Sequence, residues 1–164
     1  MTFTGAIFGA LSGGASALRN PAKAIEAIRD GATVARSVPT ARESELEAHK
    51  RLGGREQVSF LNGKEVRYGE KGATRPDIVR VVDGNKEAIE VKNYDLVNNL
   101  HGLCSTLKKE VTARRNNLPA GSKQRVVLDI RGRGYSEMQV EAAKQSIWET
   151  LQNVYPDIPI DIME

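Results

Sequence analysis

Hydrophobic and polar positions follow two different periods along the chain, which predict both helices and strands. Leucine and valine recur at helical spacing between residues 96 and 111, and this predicts a long helix over about 95–117. Isoleucine alternates with other residues over 158–162, which is typical of a strand. The unbroken apolar run Val126-Val127-Leu128 predicts another strand over 125–130.

Turn and cap residues divide the rest of the chain. Asn62-Gly63 and Asp83-Gly84 are strong hairpin signals, and the second lies between strands predicted over 77–82 and 87–92. A helix is predicted from Pro39 to Gly54, with Thr40 as its N-cap. Another helix, over 136–154, precedes the last strand. The order of helix, three or four strands, helix, strand, helix and strand predicts an α/β fold.

Residues 1–38 differ in composition and predict a helical N-terminal extension before a domain over 39–164. They are rich in glycine and alanine, and Gly5, Gly9 and Gly13 form one smooth stripe on a helix. Pro21 is well placed to open a second short helix. We interpret this segment as a helical linker or a delivery segment. A membrane-active toxin is a rival interpretation of the stripe, although the sequence has no apolar run long enough for a stable membrane span.

The charge of the chain is small overall but uneven. The net charge is +3 over 164 residues. Residues 96–133 contain eight basic and two acidic side chains, a net charge of +6, whereas the rest of the chain sums to −3. Such asymmetry suits a polyanionic partner, although a solvated basic helix and loop produces the same pattern. Cys104 is the single cysteine, so no intramolecular disulfide can form.

The second hairpin brings two acids and a lysine together. With Asp83-Gly84 as a two-residue loop, Asp77 lies directly opposite Glu90 on the same face of the sheet. Lys92 points to that face because side chains alternate along a strand, and Arg75 lies opposite Lys92. Facing carboxylates repel each other unless a cation lies between them.

This pair of carboxylates predicts a site for Mg²⁺ or Mn²⁺, which prefer hard oxygen ligands. Lys92 can then act on a water molecule beside the metal or neutralise charge on a phosphate. An ordinary charged surface on a hairpin is the alternative. We expect alanine at Asp77, Glu90 or Lys92 to abolish activity and to leave the fold intact. Removing one carboxylate of a repulsive pair should not destabilise the protein.

The same residues resemble a known signature. Arg75-Pro76-Asp77, followed after twelve residues by Glu90-Val91-Lys92, is similar to the PD-(D/E)xK motif of metal-dependent nucleases. The resemblance implies a restriction-endonuclease-like αβββαβ core. It also implies that Asp77 and Glu90 bind the metal and that Lys92 activates water. The helix after the lysine often carries a glutamine in this family, whereas Glu110 stands there in this chain.

Two further stretches extend the resemblance over roughly residues 39–164. The spacing from Glu45 to Leu52-Gly53 resembles that of an additional metal-binding acid in bacterial toxin nucleases, with Glu43 and Glu47 as alternatives on the same helix. Residues 117–121 and 126–132 are similar to toxin domains at the C-termini of contact-dependent growth inhibition, Rhs and related polymorphic toxins.

Several side chains are candidates for binding a nucleic acid. Basic side chains suit contacts to phosphates, and an aromatic side chain near the lysine suits stacking on a base. The candidates are Arg75, Tyr94, Lys108, Arg115, Arg131 and Arg133.

The expected function is that of a metal-dependent endonuclease cleaving DNA, as the effector domain of an interbacterial toxin. A tRNA-cleaving toxin of the same fold and a non-catalytic nucleic-acid-binding domain are the alternatives. The resemblance implies secretion or delivery from a cell surface, action in the cytoplasm of the target cell, and a cognate immunity protein as partner.

Overall fold

The described part of the protein is a mixed α/β domain. The computed structural model describes residues 37–164, and the expectations about the glycine stripe and the short helix after Asn20 concern residues outside this range. The elements are α1 (Ala41–Leu52), β1 (Arg55–Glu56), β2 (Ser59–Leu61), β3 (Lys64–Val66), β4 (Ile78–Val82), β5 (Asn85–Lys92), α2 (Leu100–Asn117), β6 (Lys123–Asp129), α3 (Glu137–Leu151) and β7 (Ile160–Met163). The predicted α/β class is confirmed.

Five strands form one mixed sheet, in the order β1-β4-β5-β6-β7. The pairs β1–β4 and β4–β5 are antiparallel, whereas β5–β6 and β6–β7 are parallel. Strands β2 and β3 form a separate two-stranded sheet. This small sheet is joined to the segment before β4 by a bridge between Phe60 and Thr74.

The register of the β4–β5 hairpin is set by its turn. Asp83 and Gly84 have φ angles of 51° and 78°. Two central residues with positive φ are the mark of a type I′ turn, whose twist matches that of the strands. Val82 therefore pairs with Asn85, and Ile78 pairs with Ile89. The predicted register of the hairpin is confirmed.

Helices cover both faces of the large sheet. Ile89 and Val91 of β5 pack in one cluster with Ala48 of α1. Val126 and Leu128 of β6 pack in another cluster with residues of α2 and α3. Because neighbouring residues of a strand point to opposite faces, α1 lies on one side of the sheet and α2 and α3 lie on the other. The face of β5 that carries Glu90 is therefore turned toward α2.

The predicted helix 95–117 begins later than its hydrophobic pattern suggests. The carboxylate of Asp95 accepts hydrogen bonds from the backbone N–H groups of Val97 and Asn98, each at 3.0 Å. These bonds hold a turn, and α2 begins only at Leu100. No helix within residues 37–164 has the length and apolar character needed to span a membrane.

Candidate active site

A cavity of about 530 Å³ lies between the open end of the β4–β5 hairpin and α2. Asp77 immediately precedes β4, and Glu90 and Lys92 belong to β5. The cavity is lined by Ala73, Thr74, Arg75, Asp77, Glu90, Lys92, Thr106, Lys109, Glu110, Ala113 and Arg114. Three candidates for catalysis and one for substrate binding thus share one cavity.

Asp77 is held at the start of the hairpin by a backbone hydrogen bond. The N–H of Val91 donates to Oδ2 of Asp77 at 2.8 Å. Continuing the register of the hairpin by one residue sets Asp77 opposite Glu90. Burial raises the pKa of Asp77, and the hydrogen bond from Val91 and the charge of Lys92 offset this only in part. The charged form of Asp77 is therefore short of positive partners.

Glu90 is 3% exposed, which excludes the interpretation of this hairpin face as an ordinary charged surface. Lys92 donates a hydrogen bond to Oε1 of Glu90, and Arg114 donates one to Oε2. Burial raises the pKa of Glu90, and the negative charges of Asp77 and Glu110 add to this. Arg114 and Lys92 act in the opposite direction and offset the effect of burial only in part, so the pKa of Glu90 stays raised.

The ammonium group of Lys92 lies between two carboxylates. Besides its bond to Glu90, it donates a hydrogen bond to Oε1 of Glu110 at 3.2 Å. Burial lowers the pKa of Lys92, but attraction to Glu90 and Glu110 outweighs burial, and the net pKa is raised. Lys92 therefore carries a proton at neutral pH and acts as a hydrogen-bond donor.

Sequence reasoning missed Arg114 and assigned no role to Glu110 beyond its place in the family pattern. Arg114 is 4% exposed. It lies three residues after buried Val111 and seven after buried Leu107, so the periodicity of α2 already places it on the buried face. A charge at such a position needs a buried counter-charge, and Glu90 supplies it.

Glu110 contributes a polar atom that lacks a hydrogen bond. Its Oε2 is buried and accepts no hydrogen bond within the described residues, although Nζ of Lys92 lies 3.1 Å away as an ion pair. A buried carboxylate oxygen without a hydrogen bond can accept one from another donor or bind a cation.

The three acids of α1 have different partners. Glu43 completes the capping box with Thr40, and Glu47 accepts a hydrogen bond from Arg51 at 2.7 Å. Glu45 pairs with Arg42, and its negative charge raises the pKa of Asp77. Glu45 is thus the acid of α1 that acts electrostatically on Asp77, although it does not line the cavity.

Two carboxylates at the end of the hairpin could hold a divalent cation. Within residues 37–164, no three His, Cys, Asp or Glu side chains are close enough together to form a complete ligand set. Mg²⁺ needs fewer, because it commonly takes one or two carboxylates and completes its shell with water and substrate phosphate. Asp77 and Glu90 supply two such carboxylates, and burial disfavours the charged form of both. A cation bound there would stabilise the charge of Asp77 and would compete with Lys92 and Arg114 for the oxygens of Glu90.

The basic candidates on α2 lie outside this ligand set. Arg75 lines the cavity, whereas Lys108 is exposed on α2 and does not line it. Arg115 is exposed, and it donates a hydrogen bond to the backbone oxygen of Val154 at 2.8 Å. Lys109, the neighbour of Lys108, reaches the cavity instead.

The candidates after β5 and β6 make structural contacts. The side chain of Arg131 donates three hydrogen bonds to the buried carboxylate of Asp129, at 2.9, 3.2 and 2.7 Å. Arg133 donates to the backbone and side-chain oxygens of Asn93. Tyr94 is half-buried and packs against the core. A role for these three in binding a nucleic acid stays a prediction.

Comparisons with known proteins do not assign the chain to a family. The sequence matches no protein-family model, and comparison with curated proteins and with solved structures finds no match. The residues around the cavity are therefore the features of this protein that point to a function.

Proposed function

We propose that the chain is a metal-dependent endonuclease that cleaves phosphodiester bonds of DNA. The observation that carries this proposal is the arrangement of Asp77, Glu90 and Lys92 around one cavity, with Lys92 donating a hydrogen bond to Glu90. Two carboxylates that can hold a cation and an ammonium group that can bind a phosphate suit the metal-assisted hydrolysis of a phosphodiester. Arg75 and Lys109 add positive charge to the wall of the same cavity.

The fold agrees with the proposed restriction-endonuclease-like core. In chain order the protein has the helix α1, the antiparallel hairpin β4–β5, the helix α2 and the strand β6, which is parallel to β5; strands β1, β2 and β3 come between α1 and β4. Strand β1 adds a third antiparallel strand next to β4. This order supports an αβββαβ core, with the residues of the proposed motif at the end of the hairpin.

Asp77 and Glu90 are the residues that would hold Mg²⁺ or Mn²⁺, with Glu45 as an additional acid. When bound, the metal lowers the pKa of a water molecule and stabilises charge on the phosphate. Val91 orients the carboxylate of Asp77 through its N–H, and Arg114 orients that of Glu90. Lys92, which stays protonated, donates a hydrogen bond to the attacking water or to a phosphate oxygen.

We also propose that the nuclease is the effector domain of an interbacterial toxin with a cognate immunity protein. The resemblance of residues 39–164 to polymorphic toxin domains supports this. A free nuclease would attack the nucleic acid of the cell that makes it, so expression without the partner should stop growth. Normal growth of cells that make the folded wild-type protein alone would contradict the toxin proposal.

The nuclease proposal is tested by incubating the full chain with plasmid DNA and with total RNA, each with and without Mg²⁺. Mg²⁺-dependent cleavage of the plasmid is the expected result. Cleavage confined to tRNA would favour the RNA-cleaving alternative. Binding of nucleic acid that leaves it intact and does not need Mg²⁺ would identify a non-catalytic binding domain instead.

A further inference from the structure

An exposed aromatic ring lies next to Arg75, one of the residues that line the candidate cavity. Tyr68 is 79% exposed, which makes it the most exposed of the aromatic side chains in residues 37–164. The guanidinium carbon of Arg75 lies 4.5 Å from the centre of its ring. Arg75 therefore covers one face of the ring, and the high exposure of Tyr68 leaves the other face open to solvent.

Arg75 belongs to a segment that is firmly held. The preceding residue, Thr74, exchanges two backbone hydrogen bonds with Phe60, each at 2.8 Å. The following residue, Pro76, is buried and has a fixed φ angle. Arg75 also lies two residues before Asp77, and both line the cavity. The position of Arg75 relative to Asp77 is thus fixed by the backbone.

The charge of Arg75 is available for a ligand. Within the described residues, Arg75 forms no ion pair with an acid, unlike Arg114 and Arg125. A guanidinium that stacks on a ring through its flat face keeps its N–H edge free, and that edge matches the oxygens of a phosphate. On the opposite wall, Lys109 and Thr106 of α2 offer a second cation and a hydroxyl.

We propose that Tyr68 and Arg75 bind one unpaired nucleotide next to the scissile phosphate, so that the preferred substrate is single-stranded or looped. The base stacks on the open face of Tyr68, and Arg75 binds the adjoining phosphate. A base inside a duplex has both faces covered by its neighbours, so it can stack on a protein ring only after leaving the helix. This inference rests on the proposed nuclease function. Single-stranded DNA and the loops of RNA both offer the required nucleotide.

The test uses the full chain and oligonucleotides of about 12 nucleotides, a length within the span of single-strand binding sites. DNA and RNA of one sequence are compared as single strands and as fully paired duplexes. Binding is measured first by fluorescence anisotropy, and cleavage is measured afterwards with Mg²⁺. We expect the wild type to prefer a single strand of DNA or RNA over its duplex, and the two chemistries are compared directly.

Tyr68→Ala should weaken binding of the single strand about 10-fold, the loss expected for one base–aromatic stack. The same variant should raise KM with little change in kcat, because it removes binding and not chemistry. Tyr68→Phe keeps the ring and should behave as the wild type. Trp148→Ala, which removes a partly exposed aromatic from α3, is the matched control.

Unchanged binding and KM in Tyr68→Ala, or a wild type that prefers the paired duplex, would overturn the inference. Because Tyr68 is exposed, its replacement should leave the thermal melt unchanged, and this is checked for each variant. Failure of the nuclease proposal looks different. In that case the wild type cleaves neither nucleic acid, while the anisotropy comparison still shows whether Tyr68 binds an unpaired base.

Discussion

Arg114 of α2 donates a hydrogen bond to Glu90 of β5, and each residue is less than 5% exposed. The sequence alone predicted that Glu90→Ala relieves repulsion from Asp77 and leaves the fold intact. The buried guanidinium reverses this prediction. Without Glu90, Arg114 loses the partner that compensates its burial, and we expect a loss of about 3–5 kcal/mol in the free energy of unfolding. Chemical denaturation of the purified variant measures it.

A matched double variant separates the charge from the shape of this pair. Glu90→Leu with Arg114→Met removes both charges and keeps similar side-chain volume. Replacement of a whole buried ion pair by apolar residues is often neutral, so the double variant should be more stable than Glu90→Ala. Equal instability of both variants would mean that packing, and not the unpaired charge, causes the loss.

Asp77→Asn should abolish cleavage without unfolding the protein. The amide keeps an oxygen that can accept the hydrogen bond from Val91, but it removes the negative charge that would hold the metal. We expect kcat to fall by at least ~100-fold, as for removal of one group that stabilises the transition state. Asp83→Asn at the turn of the same hairpin is the control, since Asn-Gly also forms this turn. Full activity of Asp77→Asn removes Asp77 from the mechanism.

Lys92→Ala should also abolish cleavage, with a fall in kcat of at least ~100-fold because the cavity loses its donor to water or phosphate. Glu110→Gln provides a contrast. It weakens the hold on Lys92 but leaves the bond from Lys92 to Glu90, so activity should be retained in part. Single-turnover kinetics of both variants are compared with those of Lys64→Ala, which changes an exposed lysine in β3. Similar kcat values for Lys92→Ala and Lys64→Ala would exclude Lys92 from catalysis.

Stability at low pH should depend on Glu87, on the opposite face of β5. Burial raises the pKa of Glu87, but hydrogen bonds from Arg80 and Arg125 outweigh burial, and the folded-state pKa lies below the ordinary 4.5. Glu87 therefore binds a proton more readily in the unfolded chain than in the folded protein. The stabilisation is fully present above about pH 4.5 and is lost as the pH falls through the folded-state pKa.

Glu87→Gln should accordingly unfold more easily at pH 7, by about 1–3 kcal/mol. The difference from the wild type should shrink toward pH 3. Glu70→Gln, which neutralises an exposed carboxylate in a loop, corrects for the change in net charge. A difference that stays constant from pH 7 to pH 3 would show that Glu87 does not stabilise the fold as a carboxylate.

A fragment that begins at Ser37 should fold and cleave at a rate close to that of the full chain. Every candidate for metal binding or catalysis lies after Thr40, and residues 37–164 form a compact unit of their own. Circular dichroism and a side-by-side cleavage assay of the two proteins check this. An unfolded or inactive fragment would mean that residues before Ser37 belong to the nuclease domain.

The sequence predicted the β4–β5 hairpin well because its information is local. Asp83-Gly84 specifies the turn, and the alternation around Ile89 and Val91 specifies the face. Opposition of Asp77 and Glu90 follows from these two signals alone. The pattern could not show what covers the face with Glu90, because α2 is brought there by packing with other elements.

Two other features were hidden for different reasons. Arg114 looks like a surface charge until its helical position is compared with that of Val111, and only Glu90 explains its burial. Strand β1 has two residues and no period to detect. Its position depends on Gly54, where a Cβ atom would lie 2.7 Å from the backbone oxygen of Val79. In the sequence, such a close approach of two backbone segments is marked by nothing more than a glycine.

The two-residue turn at Asp83-Gly84 has a consequence for how this protein can change in evolution. Glu90 alternates with Ile89 and Val91, so a one-residue shift in register would turn the acid toward α1 and the apolar pair toward α2. An insertion at this turn that slips the strands would damage the core and the cavity together. The loop is exposed, a kind of position that usually tolerates insertions. At this turn we expect the residue types to vary in evolution, while the length of the loop stays at two residues.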